Sequence, residues 1–203
     1  MGVKVVHRPP DYARRLGAGL APVMRKAAMY LQSSADKKIS GGVNPANAPL
    51  TQEVKRGGQT LRDRGELAQS VAPHSGELWA DASTNLAYAR IQQEGGTVTP
   101  KNAKALFIPA SAKTRTLMRS YGASTPGKLI KAMEADYGFF RAGRVFFAYK
   151  KGKGKNRGKE FALFIISKSV KIPARPFLYI DEKDEACLLK LVQSGVMNAL
   201  GGK

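Results

Sequence analysis

The sequence has one cysteine, two histidines and few carboxylates, and each shortage excludes a class of protein. Cys187 has no second cysteine with which to form an intramolecular disulfide or a paired metal site. His7 and His74 lie in separate loop-like contexts, without the His–Glu helical spacing of a zinc hydrolase. A phosphate-binding loop ending in Gly-Lys-Ser or Gly-Lys-Thr is also missing. The sequence therefore predicts no catalytic residues, no cofactor and no metal, and a protein that is not an enzyme.

Long apolar runs are absent too. No stretch is apolar for long enough to span a bilayer, and the N-terminus lacks the apolar core of a secretion signal. We therefore expect a protein that is made in a reducing cytoplasm and has no membrane partner. Cys187 lies beside Leu188 and Leu191 in a helical pattern, which predicts a small core residue rather than a reactive thiol.

Positive charge, in contrast, is in large excess. The 203 residues include 34 Lys and Arg against 15 Asp and Glu, which gives a formal net charge of +19. Such an imbalance must be offset by a polyanion, an acidic protein surface, or solvent and salt. Hydrophobic residues make up 43% of the chain, enough for a sizeable core, and the length favours a single domain over residues 1–203.

Carboxylates cluster only where the last helical pattern begins, at Asp181, Glu182, Asp184 and Glu185. The helix dipole favours negative charge there, and Asp181 is of the residue type that caps a helix N-terminus. We interpret the cluster as a helix start, with a metal site as the less favoured alternative. Activity lost on substituting Asp181 or Asp184 would point instead to a small nuclease or hydrolase.

A hairpin over residues 145–166 is the clearest local prediction. Apolar runs at 145–149 and 161–166 flank a basic tip that is spaced by glycines. Two interpretations of this tip are equally favoured: a solvated loop that keeps a strand edge soluble, or contact with phosphates. The tip supplies these candidate interface or DNA-facing residues: Lys150, Lys151, Lys153, Lys155, Arg157 and Lys159.

The remaining patterns predict packed elements. The first helix is expected at about residues 20–35, because proline at position 22 is tolerated best in a first turn. Trp79 is predicted as a core residue in an alternating strand. The last helix is expected to bury an apolar face that includes Ala186 and Leu189. The aromatic side chains of the hairpin strands are also predicted as core: Phe146, Phe147, Phe161 and Phe164.

We expect residues 171–180, Lys-Ile-Pro-Ala-Arg-Pro-Phe-Leu-Tyr-Ile, to organise the fold. Pro173 and Pro176 each remove a backbone N–H and bias the preceding residue toward extended geometry. The stretch is therefore predicted as a stiff strand or edge strand that leads into a helix capped by Asp181. Arg175, between the two prolines, is predicted to pair with a carboxylate within the fold or at a subunit boundary.

Four segments, in order, resemble a known family: residues 49–51, 61–71, 88–96 and 172–178. Their pattern is similar to that of the virion morphogenesis, or tail-completion, proteins of tailed bacteriophages, in the Mu-like group. The last segment matches the family's Ile-Pro-Ala-Arg-Pro-Phe-Leu motif letter for letter. Gln92 stands where histidine is usual, and Arg64 where threonine is usual. Residues 97–171, which include the basic hairpin, are longer than in compact members and are expected to be a family-atypical insertion.

The resemblance implies an α+β fold in which an N-terminal helix packs on an antiparallel β-sheet, with the long basic hairpin inserted and a C-terminal helix. Within it, Tyr88, Gln92, Gly95 and Gly96 are expected to set a turn and its packing against the sheet. Such proteins are not known as enzymes and have no cofactor.

The resemblance also implies a structural virion protein that completes the tail or joins it to the head as a homo-oligomeric, hexameric ring at the neck. Its partners would be further copies of itself, other neck and tail proteins and packaged DNA in the lumen, and it would assemble in the host bacterial cytoplasm. Basic loops, and Arg175 with them, would face DNA or an acidic neighbour. The alternative is a basic DNA-binding protein without sequence specificity.

Overall fold

A computed structural model describes residues 10–55, 59–152 and 157–199. The architecture is mixed α+β, with a long helix near each end and antiparallel strands between them, which confirms the predicted fold class. The helices of the described residues are α1 (Pro10–Gly41), α2 (Pro49–Val54), α3 (Glu66–Gln69), α4 (Ala89–Glu94), α5 (Ala112–Ser120), α6 (Pro126–Met133) and α7 (Glu182–Ala199).

Within the described ranges, the strands form three separate antiparallel sheets. β1 pairs with β2, β3 pairs with β8, and the largest sheet has the order β4-β7-β6-β5. The strands are β1 (Ala72–Ser75), β2 (Ala80–Ser83), β3 (Gly96–Val98), β4 (Leu106–Pro109), β5 (Tyr137–Ala142), β6 (Val145–Lys151), β7 (Arg157–Ser167) and β8 (Val170–Ile172).

The first helix is longer than predicted, because α1 continues through Pro22 in both directions. A proline inside a helix removes one backbone hydrogen bond and costs about 3 kcal/mol. Extensive packing offsets that cost, since α1 contacts α7, β1, β2 and α3. Its buried face consists mainly of small or flexible side chains: Leu20, Met24, Ala27, Ala28, Ala35 and Ile39.

The described residues form two hydrophobic cores, and each belongs to a different region. The first core joins α1, α3 and α4 to Phe177, and we call the described residues within 10–98 and 170–199 the body. The second core lies between the four-stranded sheet and helices α5 and α6, and we call residues 106–167 the sheet module. Because β3 pairs with β8, the chain leaves the body and returns to it at adjacent points.

The predicted strand at 171–180 is largely wrong. Only Val170–Ile172 forms a strand, and the chain from Pro173 to Asp181 has no ladder partner. The two prolines lack the N–H groups that a ladder would need, so the segment cannot continue β8. It still leads to a capped helix, because Asp181 Oδ1 accepts the backbone N–H of Asp184 at 2.9 Å, which confirms the predicted cap.

Trp79 is not a core residue, since its side chain is 54% exposed. β2 begins one residue later, at Ala80, so Trp79 lies in the turn after β1 rather than in a strand. Its indole ring packs over Gly76, where an added Cβ would lie 2.3 Å from Nε1. The alternating pattern in the sequence was therefore correct only from Ala80 onward.

The predicted apolar face of the last helix is partly wrong. Ala186 and Leu189 are exposed, whereas Asp184 and Gly195 are buried where α7 packs on α1. An added Cβ at Gly195 would lie 2.3 Å from Val23, so glycine permits this close approach of the two helices. Cys187 lies at the edge of this contact and is half-buried.

The hairpin aromatics divide between the two faces of the sheet. Phe164 is fully buried in the second core, and Phe146 and Phe161 pack against it, as predicted. Phe147 is on the opposite face, because side chains alternate along a strand and Ala148 points into the core. There Phe147 is half-buried and stacks on Phe140, with ring centroids 5.2 Å apart.

Candidate functional site

The basic hairpin forms as predicted, with β6 and β7 antiparallel and Lys151 opposite Arg157. Lys150, Lys151 and Lys159 are exposed beside its tip. Lys153 and Lys155 lie outside the described residues, and for Arg157 only the backbone is described. The described part of the hairpin therefore presents lysines on both strands.

One of these lysines has a structural role. Lys151 Nζ donates to the carbonyl oxygen of Glu134 at 2.8 Å, and its backbone N–H donates to the carbonyl of Asp136 at the same distance. These bonds tie the end of β6 to the chain that leaves α6. Lys150 and Lys159 are thus the better candidates for contact with an external anion.

Arg175 lies in the body, apart in the fold from the hairpin lysines, and is only 7% exposed. Its Nε donates to the carbonyl oxygen of Pro45 at 2.8 Å, and its Nη2 donates to that of Ala46 at 3.1 Å. The predicted carboxylate partner is replaced, among the described residues, by these two carbonyls. Arg175 therefore fixes the loop between α1 and α2 within the fold.

Two of the segments that carry the family resemblance, residues 88–96 and 172–178, are joined by hydrogen bonds. Gln93 Oε1 accepts the backbone N–H groups of Phe177 and Leu178 at 2.9 and 3.0 Å, and Gln93 Nε2 donates to the Leu178 carbonyl at 2.9 Å. The Gln92 carbonyl accepts the Arg175 N–H at 2.7 Å. We call this set of four hydrogen bonds the glutamine clamp. The clamp supplies hydrogen-bond partners for the backbone of residues 175–178, which form no strand ladder.

Gly95 allows the clamp to close. Its φ is +73°, a conformation that glycine adopts without strain, and an added Cβ would lie 2.6 Å from the Ala174 nitrogen. The predicted turn at 88–96 is therefore present, and it packs against residues 172–178. The role of Gln93 was not predicted from the sequence. A signal was present, because the prolines at 173 and 176 interrupt any strand ladder, and the N–H groups of neighbouring residues then need other acceptors.

The acidic residues at the start of α7 form a buried ion pair with α1. Asp184 Oδ2 lies 2.6 Å from Lys38 Nζ, and Asp184 Oδ1 accepts from the Ser34 and Tyr30 hydroxyls at 2.8 and 3.1 Å. Burial alone would raise the pKa of Asp184, but hydrogen bonds from Lys38, Ser34, the Asp181 N–H and Tyr30 outweigh it and hold this pKa well below its usual range. Among the described residues, no group of His, Cys, Asp and Glu side chains is placed to hold a metal ion.

A cavity of about 580 Å³ lies where the body meets the sheet module. Its wall includes Arg175 and Gln92 from the clamp region, and Arg115 from α5 of the sheet module. Arg115 also ties the two regions together, since its Nη2 lies 2.7 Å from Asp63 Oδ2 and its Nη1 donates to the Val54 carbonyl at 3.1 Å. The candidate charged binding surfaces of the described chain are therefore this cavity and the exposed lysines of the hairpin.

A sequence model of the phage virion morphogenesis family matches residues 5–123. The match includes three of the four resembling segments but ends before the one at 172–178. No curated protein and no solved structure gives a significant match to the chain. Within the described ranges, none of the helices is both long and apolar enough to cross a membrane.

Proposed function

The chain belongs to the phage virion morphogenesis family, and from that premise we propose that it completes the tail of a tailed phage, or joins the tail to the head, as a multi-copy ring at the neck. Membership by itself gives a coarser statement, which is a structural or morphogenetic role in a phage virion. Families of this kind are typically structural rather than enzymatic.

The observation that carries the proposal of a ring is the exposed apolar turn between β1 and β2. Leu78 and Trp79 at this turn are 66% and 54% exposed, and Ile180, before α7, is 58% exposed. Contiguous exposed apolar side chains mark sites of association, whereas single ones are common on protein surfaces. Leu78 and Trp79 are adjacent in the chain. A ring needs two different complementary surfaces on each subunit, and the body offers apolar side chains at two places.

The basic charge fits a position around a channel. In a ring whose hairpins face the lumen, Lys150 and Lys159 would meet the phosphates of packaged DNA or an acidic neighbouring ring. Lysine contacts with phosphate do not depend on the DNA sequence. Such contacts suit a channel through which the entire genome passes.

The test is electron microscopy of particles produced without this protein. We expect DNA-filled heads beside separate tails, or tails of uncontrolled length with a ragged upper end. Normal joined particles would contradict both the joining and the completing role. In that case the alternative, a DNA-binding protein without sequence specificity, would be examined by binding to duplex DNA over a series of salt concentrations.

Complementation in trans tests the apolar turn. Wild-type protein should restore joined particles, whereas Trp79→Lys should not, because charge would replace the apolar contact between subunits. Leu189→Lys, at an equally exposed apolar side chain on α7, is the matched control and should complement. Deletion of residues 150–159 separates the two functions: loss of DNA binding with assembly intact favours the alternative, and loss of assembly favours the neck.

A further inference from the structure

The cavity between the body and the sheet module is strongly cationic. Five cationic side chains line it, against the two carboxylates of Asp63 and Glu66. Asp63 pairs with Arg115 at 2.7 Å, and Glu66 lies 3.7 Å from Arg64. The other three cations of the wall take part in no ion pair among the described residues: Lys55, Lys171 and Arg175.

The electrostatic environment of Lys55 reflects the charges that surround the cavity. Burial lowers the pKa of Lys55, and the Asp63 carboxylate raises it; the positive charges of Arg175 and Arg115 make smaller contributions that lower it. Lys55 Nζ donates to the Gln59 carbonyl, which is neutral. An anion in the cavity would therefore relieve repulsion among side chains that the fold already holds close together.

The wall also contains the edge of a strand. Four successive residues, Val170, Lys171, Ile172 and Pro173, line the cavity. Side chains alternate between the two faces of a strand, so a cavity over one face would be lined by every second residue. Successive residues line a cavity when the edge of the strand faces it. β8 pairs with β3 on one side, in a sheet that contains only these two strands among the described residues.

We propose that this cavity binds an extended acidic segment of a neighbouring virion protein, whose backbone pairs with β8 and whose carboxylates meet Lys55 and Lys171, near the buried positive charge of Arg175. Strand addition to an open sheet edge is a common mode of peptide recognition. A peptide satisfies both features of the wall, whereas the phosphates of duplex DNA satisfy only the charge. The inference rests on the proposed function only in naming a virion protein as the partner.

The test is fluorescence anisotropy of a short labelled peptide of alternating Glu and Thr, titrated with the full chain. Two control peptides separate the contributions. In the first, Gln replaces Glu, which removes the charge; in the second, Pro replaces Thr, which keeps the charge but removes every second N–H. We expect both controls to bind at least about tenfold more weakly, a loss of about 1.4 kcal/mol.

Variants of the chain locate the site. Lys171→Glu and Lys55→Glu should each weaken binding of the Glu-Thr peptide about tenfold. Lys131→Glu changes the net charge equally at an exposed position outside the cavity and should leave binding unchanged. Circular dichroism verifies folding, and Lys171→Gln replaces Lys171→Glu if charge reversal prevents it.

Three results would overturn the proposal. One is equal weakening by Lys131→Glu, which would mean attraction by net charge alone. Another is equal affinity for the Pro-containing peptide, which would exclude strand addition. The third is displacement of the peptide by duplex DNA with the same dependence on Lys171, which would make the cavity a phosphate site. Peptide binding is measured on the isolated chain, so a negative result would leave the proposed neck function intact. Conversely, normal particles in the absence of the protein would refute the neck function without refuting peptide binding.

Discussion

Different interactions stabilise the body and the sheet module, although both regions combine helices with antiparallel strands. Seven of the eight phenylalanines lie in the sheet module, and Phe177 is the only one in the body. The body instead relies on small apolar side chains, the glutamine clamp and the ion pair of Lys38 with Asp184. The sheet module surrounds Phe164 with several partly buried aromatic rings.

This difference predicts how each region responds to a single change. Hydrogen bonds and ion pairs depend on fixed geometry, so losing one partner leaves a buried group unsatisfied. Apolar burial spreads over many weak contacts, and one exposed ring carries little of it. The body should therefore be the more sensitive region to point substitutions, and four experiments test this.

The largest effect is expected at Phe177. Phe177→Ala removes the only fully buried aromatic ring of the first core and should lower the free energy of unfolding by about 3–5 kcal/mol. Trp79, the single tryptophan, lies in the body, so its fluorescence during chemical denaturation follows this region. Phe107→Ala in the sheet module, at a ring 38% exposed, is the control for burial; followed by circular dichroism, which reports on both regions, it should cost much less. Equal losses would refute the contrast.

Removing the charge of Asp184 should come next. Asp184→Asn should cost about 2–3 kcal/mol near neutral pH, because Lys38 would lose the closer of its two carboxylate partners, at 2.6 Å, and keep only Asp181 at 3.5 Å. Since the pKa of Asp184 is lowered in the folded state, its contribution is complete above the usual pKa of about 4 and is lost as pH falls below it. Wild-type stability should therefore decrease with acidification more steeply than that of the variant. Glu182→Gln, at the same helix start but exposed, should keep the wild-type slope.

Two glycines with positive φ provide a matched pair. Gly95→Ala in the body combines the strain of a backbone conformation that almost only glycine adopts with a contact of 2.6 Å to the Ala174 nitrogen, and should cost about 2 kcal/mol or more. Gly143→Ala, in the β5–β6 turn, has left-handed strain but no atom within 4 Å, and should cost about 1 kcal/mol. Thermal unfolding of both variants gives the comparison. A greater loss of stability for Gly143→Ala would mean that the close contact of Gly95 with residues 172–178 does not determine the stability of the body.

The smallest effect is expected where the two regions meet. Arg115→Gln breaks a partly exposed ion pair with Asp63 and should cost about 1 kcal/mol or less. Its main consequence should appear in hydrogen exchange, where protection of the body and of the sheet module should separate. Arg119→Gln, exposed on the same helix, should leave the exchange pattern unchanged. Unchanged protection in the Arg115 variant would show that other contacts couple the regions.

Much of the local structure could be predicted from the sequence, because turn and cap residues act over a few positions. Gly95 ends α4, Thr125 caps α6 and Asp181 caps α7 as their residue types predict. The hairpin strands also have the predicted pairing. At the helix ends and caps the deciding hydrogen bond lies within four residues of the capping residue.

The errors arose where distant residues decide. Pro22 remains inside α1 because α7, β1 and β2 pack against this helix. Gln93 acts on Phe177, and Lys38 on Asp184, across long stretches of sequence that no local pattern reveals. The cationic cavity was missed for the same reason, since its wall combines α2, α5 and β8. Whether residues 97–171 are an insertion relative to the family remains a prediction.

The pairing of β3 with β8 has a consequence for how this protein could be rebuilt. Thr97 lies opposite Lys171, so the body needs only a tight turn between them to keep its own chain continuous. For the body, everything between these strands is a loop, and the closure entropy of a loop increases only slowly with its length. The site is therefore a natural graft point: a short turn, a reporter domain or a different module could replace the sheet module while the body keeps its topology.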